Sequence, residues 1–445
     1  MSEKTDGKIG YWGIVAIGIG GMVGGGIFAV LGLAVELAHG GTPLAFAIAG
    51  LVALITAYAY TKLSVAFPSQ GGTVTFLDQA FGSGVLTGGL NVLLWLSYVV
   101  MLSLYAFAFG SYGATFLPDG WQDVGKHVLI SLSILGIAGL NLLSAKVIGE
   151  AENWVVGLKL AILLLFVATG LRGVTIAQIA PAAWSPMINV IAGGMIIFVA
   201  YEGFELIANT AHDVKQPAIN LPRAYYTAVG FVILLYVLVA IVTVGNLSVD
   251  KIISAKDYAL AEAAKPFLGN IGFTLIAIAA LLSTASAINA TLYGAARLSY
   301  IIAQDGELPA LLEKKIWHEP LIGLLITTIL TLLVANFFDL TSISTIGSAG
   351  FLLIFAAVNG ANIRLASATG SRTWLSGVGV VACVGALAAL LWQTATTSPQ
   401  QLWILGAMVG LAFGIEAGYR ALTGRKIHLS TINLKTPVDK EPKEL

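Results

Sequence analysis

Charge is scarce in this sequence. Of its 445 residues, 10% are Asp, Glu, Lys or Arg, and 57% are hydrophobic. A soluble chain of that length needs a charged surface, so several water-soluble domains are excluded. Basic and acidic residues balance at 23 each, which leaves no net positive field to draw in a nucleic acid. Cysteine occurs once, as Cys383 in an apolar run, which excludes an intrachain disulfide framework and a Cys-rich metal site. The five histidines (His39, His127, His212, His318 and His428) fall in predicted loops or tails without forming a close pair, so no metal site is expected. No nucleophile–base or metal motif stands out, so no enzyme is expected, and a TVGYG-like channel filter is missing. The polar N-terminus "MSEKTDGKIG" runs straight into a long apolar segment with no short core and cleavage site. That pattern reads as a retained first helix rather than a signal peptide.

Long apolar stretches recur instead, each roughly 20 residues or more, enough to cross a bilayer as a helix. The reading is an all-α membrane protein with twelve transmembrane helices, near 11–38, 43–67, 84–113, 127–144, 153–171, 187–211, 222–245, 268–303, 321–337, 341–366, 374–394 and 402–422. Span 8 is too long for one simple crossing, and its end is expected to continue as helix beyond the bilayer. With the N-terminus in the cytoplasm, seventeen Lys and Arg fall in inside loops and tails. Five (Lys126, Arg172, Lys251, Lys256 and Lys265) fall outside, and Lys159 belongs to neither side. This bias predicts a multi-pass protein of the cell membrane with both termini cytoplasmic.

Charges inside such spans are costly and point to function. Lys159 in "VVGLKLAILLLF" is either a snorkelling lysine near the cytoplasmic end or a buried ammonium that carries a coupled proton. Span 6 reads "FVAYEGFELIANTA", and Glu202 and Glu205 would share a face if it were helical. Glu416 and Arg420, four apart near the end of span 12, read as a local pair.

Span 1 contains "GGMVGGGIF", Gly20 to Phe28, where glycine weakens a helix that should be strong. One explanation is close helix packing through small residues four apart. The other is an unwound segment, whose bare N–H groups hold an anion and whose bare carbonyls hold an ammonium. A free amino acid carries both groups. The irregular "AYEGFE" five spans later decides for unwinding, because paired interruptions in two halves mark an inverted-repeat transporter. Spans 1–5 (11–171) and 6–10 (187–366) would form a 5+5 inverted repeat with broken helices 1 and 6. Spans 11 and 12 (374–422) would be additions, with tails at 1–10 and 423–445.

The chain resembles the amino acid–polyamine–organocation (APC) superfamily across spans 1–10. The likeness rests on "GMVGGGIF", on "AYEGFELIANTAHDVKQPAINLPRA", on "NATLYGAARLSYIIAQDGELP" and, more weakly, on "GSAGFLLIFAAVNGANIRLA". A lysine in span 5 resembles the proton-coupled amino acid transporters of that superfamily, in which the amine takes the place of a sodium ion. The resemblance implies a proton-driven amino acid symporter with no cofactor and no sodium site. It places the substrate carboxylate on N–H groups of Gly24, Gly25 and Gly26, and the amino group on carbonyls near Met22, Val199, Ala200 and Glu202. Phe28, Tyr98, Tyr201 and Phe204 would line or gate the pocket. Lys159 would carry the proton beside Ser283 and Ser286, with Glu205 assisting. Asn289, on the same face, is either part of that site or a core hydrogen-bonding residue. The family usually has an apolar residue at the Glu202 position, whereas an acid at the Glu205 position is common. Glu202 is therefore a counter-charge for a cationic substrate, a second proton site or a neutral hydrogen-bonding acid. Alternatives to symport are an exchanger or uniporter of cationic amino acids or polyamines, and an amino-acid sensor that moves nothing.

Overall fold

The structure, a computed structural model, describes residues 8–82, 84–143, 145–313 and 320–423; the side chains at 142–153, 310 and 313 lie outside that description. His318, His428 and most of both expected tails therefore fall outside the described residues.

The described chain is built of helices: α1 (Tyr11–Met22), α2 (Gly26–Ala38), α3 (Thr42–Ala66), α4 (Thr73–Phe81), α5 (Val85–Ala114), α6 (Gln122–Leu143), α7 (Ala145–Gly170), α8 (Ile176–Ile179), α9 (Met187–Ile196), α10 (Leu206–Asn209), α11 (Pro217–Asn246), α12 (Val249–Ser254), α13 (Ala259–Gln304), α14 (Leu321–Phe337), α15 (Leu340–Arg364), α16 (Ala366–Thr369), α17 (Thr373–Thr397) and α18 (Gln400–Thr423). Among the described residues, nine helical stretches are long and apolar enough to span a bilayer, or eleven when each of two bent pairs is taken as one span. α14 is a shorter apolar helix. In hydrocarbon every backbone N–H and C=O needs an internal partner, and a helix supplies one within its own segment.

The ends of these helices follow local chemistry. Proline opens α3 and α11, where its missing N–H costs nothing. Asp339 caps α15 by accepting from Ser342 N at 2.7 Å. Within α13, Pro266 removes a donor and Gly269 takes a left-handed φ of 60°, so Ala259–Leu268 turns away from the long helix that follows. The remainder, up to Gln304, is about 50 Å long at 1.5 Å per residue, which exceeds the bilayer core.

α5 is the central post, with 94% of its apolar window buried. It packs against α6, α13, α14, α15 and α18. α1 lies against α11 and α3 against α11, while α7 lies against α13. Trp154, Phe337, Trp403 and Leu422 point outward, as lipid-facing side chains would.

Beyond the end of α13, Glu307 is 1% exposed. Asn91 Nδ2 donates to Glu307 Oε2 at 2.7 Å and to Asp78 Oδ1 at 3.2 Å. Burial, reinforced by the neighbouring acids, raises the Asp78 carboxyl to about 7 and that of Glu307 to about 8. Glu416 accepts from Arg420 at 2.5 Å, the expected local pair, and its carboxylate rests on Gly88 of α5. His127 belongs to the early turns of α6 rather than to a loop, bonded to Asn336 Oδ1 at 3.0 Å.

Candidate functional site

Two interruptions meet in the middle of the bundle. α1 stops at Met22 and α2 begins at Gly26, bent by 47° across the gap. α9 stops at Ile196 and turns by 42° into a tight 3₁₀ segment, Phe198–Glu205, that leads to α10. The two chains cross backbone to backbone. A Cβ on Gly21 would lie 2.8 Å from Gly203 O, and one on Gly203 would strike the Gly21 carbonyl carbon. A Cβ on Gly26 would lie 2.9 Å from Ala200 Cα. Glycine therefore serves both purposes read from the sequence. Gly21 and Gly203 permit the crossing, and Gly24–Gly25 form the gap.

Hydroxyls from neighbouring helices satisfy the freed carbonyls. Ser283 of α13 donates to Val23 O at 3.1 Å and to Gly24 O at 2.6 Å. Tyr236 of α11 donates to Met22 O at 2.6 Å, with Ala200 O at 3.5 Å. One hydroxyl thus bridges two carbonyls expected to hold an amino group. Ser344 and Ser348 of α15 donate to Ile196 O at 2.6 and 2.9 Å, and Val199 N donates to Ser348 Oγ at 3.0 Å. Tyr236, Ser344 and Ser348 were missed in the sequence. The two serines stand four apart on one face of an apolar span, a pattern that core hydroxyls share. The N–H groups of Gly24, Gly25 and Gly26 have no acceptor among the described residues.

Lys159 of α7 is 1% exposed, and its Nζ donates to Gly20 O at 3.2 Å, in the last turn of α1. α7 and α13 thereby grip consecutive parts of the same chain, one at Gly20 and the other at Val23–Gly24. The lysine is buried at the break rather than snorkelling. Asn289 accepts from Asn141 Nδ2 at 2.8 Å, which fits the core role.

The 3₁₀ geometry places residues three apart directly above one another, which puts Glu202 and Glu205 on one face. Both are buried. Glu205 Oε2 accepts from Tyr60 at 3.0 Å and from Thr73 at 3.2 Å. Glu202 lies beside the Tyr105 hydroxyl. Glu202 Oε2 and Glu205 Oε1 have no hydrogen-bond partner among the described residues.

A cavity of about 450 Å³ leads to this crossing from one end of the bundle. Its walls include Ile9, Gln70 and Arg297 near the mouth, and Gly20, Gly21, Tyr98, Tyr105 and Ser286 further along. The Arg297 guanidinium donates to Gln70. On the other side of the break, Gly32 of α2 abuts the Lys256 backbone, and Lys126 pairs with Asp257 at 2.7 Å.

Of the expected pocket residues, Tyr98 lines this cavity, as does Ser286, which was expected beside Lys159. Phe28 stands edge-on to Tyr112, whose hydroxyl donates to the Phe28 carbonyl at 3.1 Å. Tyr201 donates to Phe46 O at 3.0 Å and packs on Tyr236. Phe204 belongs to an aromatic cluster with Tyr60, Tyr225 and Phe355. These three are walls of the crossing, away from the cavity lining.

A membrane bundle with two interrupted helices crossing beside a cavity is built as a transporter. A family profile described as "Amino acid permease" matches residues 9–413, and the chain belongs to that family of transporters, which are not enzymes. It is 37% identical over 432 residues to the uncharacterized protein MJ0609 of Methanocaldococcus jannaschii, covering 95% of this chain and 98% of that one. It is 35% identical to the inner membrane transport protein YbaT of Escherichia coli, covering 90% and 94%. The methylthioribose transporter of Bacillus subtilis is 27% identical, with 79% of each chain covered.

Proposed function

We propose that the chain is a proton-coupled symporter of amino acids that works by alternating access in the cell membrane, with both termini cytoplasmic. The two bent pairs, the nine long helices and α14 would make twelve crossings. The first ten would form a 5+5 inverted repeat, with α17 and α18 added. The zwitterion would bind at the crossing, its carboxylate on the N–H groups of Gly24, Gly25 and Gly26. Its ammonium would face the carbonyls of Met22, Val199, Ala200 and Glu202, displacing the Tyr236 hydroxyl from Met22. The unpartnered glycine N–H groups favour this reading, since buried donors are rarely left so.

The observation that carries proton coupling is the Lys159 amine, buried and bonded to Gly20 at the edge of the break. A second cation about 4 Å from a protonated amine would be repelled by roughly 4 kcal/mol at an effective dielectric of 20, which opposes sodium. Loss of the proton removes the charge that strengthens the α7–α1 link and so loosens the substrate site, which makes substrate affinity depend on protonation. Uptake into proteoliposomes under an imposed pH gradient tests this. Lys159→Ala should lose the pH dependence, and full retention of it would remove Lys159 as the carrier.

The buried, unpartnered Glu202 Oε2 favours a second reading, an exchanger or uniporter of cationic amino acids or polyamines. Counterflow with labelled arginine, putrescine and alanine tests the second reading, which requires arginine or putrescine to be carried.

A further inference from the structure

A segment with no part in the chemistry at the crossing lies over the second half of the broken first span. Between α11 and α13 the chain runs through α12 and a short 3₁₀ turn, Lys256–Tyr258, and both pack against α2. At one point the contact is backbone to backbone, because a Cβ on Gly32 would strike the Lys256 main chain. Ile252, fully buried, anchors the segment from below.

Its other ties are ionic. Asp257 accepts from Lys126 Nζ of α6 at 2.7 Å, and the same ammonium lies 3.8 Å from the centre of the Phe107 ring of α5. Lys256 Nζ stands 3.5 Å from Glu36 Oε2 of α2. Two adjacent residues of opposite charge thus face α2 on one side and α5 and α6 on the other. The Lys126 and Asp257 side chains are 20% and 27% exposed, so water can take over both charges as they part. An ion pair of that kind costs little to break, unlike the apolar packing along the buried run from Gly26 to Val35. The cavity that reaches the crossing is lined by α1 and not by α2.

We propose that Val249–Tyr258 is a strap that closes the crossing on its α2 side, away from this cavity, and that parting of Lys126 from Asp257 lets the strap and α2 swing off α5 and α6. This rests on the alternating-access reading, which needs a second entrance, but not on the identity of the substrate or of the proton carrier.

Maleimide labelling of one introduced thiol tests this, on the full chain in detergent with neither substrate nor pH gradient. Ala29→Cys puts the thiol three residues before Gly32, on the same face of α2, at a position with no exposure. The native Cys383 is buried, and the chain without Ala29→Cys gives its background. Asp257→Asn and Lys126→Gln should each speed labelling about two- to fivefold, the scale of one partly exposed ion pair. The double variant should be no faster than the faster single, because both remove the same pair. Lys126→Arg should stay slow. Gly32→Ala, which drives a methyl into the Lys256 backbone, should speed labelling without touching a charge. Lys265→Gln breaks the Glu262–Lys265 pair within α13 and should leave the rate unchanged. Unchanged labelling in Asp257→Asn and Lys126→Gln would overturn the proposal, as would additive acceleration in the double variant or equal acceleration in Lys265→Gln. Alanine uptake by the unaltered chain is measured separately, and its absence with the strap responses intact would count against the symport reading and not against the strap.

Discussion

The two interruptions at the crossing are built differently. In the first, side chains are withdrawn: Gly24, Gly25 and Gly26 leave a gap with bare N–H groups, and its carbonyls are held by Ser283 and Tyr236. In the second the chain stays helical but tightens, and α15 satisfies it through Ser344 and Ser348 on Ile196 O and Val199 N. The tightening also stacks two carboxylates on one face. On the proposed reading, the bare N–H groups of the first break would face the substrate carboxylate, while the second adds two carboxylates beside the ammonium site. Most of the groups that hold their backbones come from different helices, but the Tyr236 hydroxyl of α11 touches both, at Met22 O and Ala200 O, and ties the two breaks together.

The largest effect should come from closing the space between them. Gly203→Leu would drive a side chain into the Gly21 backbone, where no rotamer relieves the clash. Overpacking of this kind costs about 1–3 kcal/mol or more. Substrate-dependent thermal stabilisation should disappear in this variant, and its persistence would show that the crossing tolerates separation.

Next in size, Gly25→Ala should weaken binding of the substrate carboxylate. Its added Cβ would run into the Tyr105 ring, beside donors that have no other partner. Ligand titration should show affinity reduced at least about tenfold, on the order of one lost charge-assisted hydrogen bond. The reverse change in the second break, Ala200→Gly, should alter affinity far less.

Smaller still, Ser348→Ala removes the hydroxyl that serves both Ile196 O and Val199 N. A loss of about 1–3 kcal/mol in stability is expected. Ser344→Ala should cost less, because Ser348 still serves Ile196 O. Equal costs would show that the two serines do not share the load.

A pH effect separates the carboxylates of the crossing from those outside the spans. Folding raises Asp78 to about 7 and Glu307 to about 8, chiefly through burial. Unfolded carboxyls titrate near pH 4, so between about pH 4 and 8 the native state holds more protons than the unfolded one. Their contribution to stability therefore falls as pH rises through that window. Glu307→Gln should flatten the fall in melting temperature from pH 5 to 8 while leaving pH-dependent uptake in place. A loss of uptake coupling would assign protons to this outer cluster instead of Lys159.

Much of the architecture was legible in the sequence. Apolar length and spacing marked the helices, and Gly20–Gly26 marked the first interruption, because a run of residues without side chains has no packing reason to remain one helix. "AYEGFE" marked the second less directly, since its tightening to a 3₁₀ form is a response to α15 and to the crossing with α1. Lys159 was legible as a charge out of place. Tyr236, Ser344 and Ser348 were not, because a hydroxyl in an apolar span reads equally as core. Tyr201 and Phe204 read as pocket residues, but their rings turn into the packing behind the crossing.

What the sequence by itself determined is the composition of the solution: all-helical spans, two weakened points, and an amine and two carboxylates at membrane depth. Hydrophobic length and the cost of bare backbone in hydrocarbon leave few other options. Only the tertiary structure decided that the two weak points cross at Gly21 and Gly203, that Lys159 reaches Gly20, and which hydroxyls close which carbonyls. Those are contacts between residues tens to hundreds of positions apart, and their geometry depends on how whole helices pack.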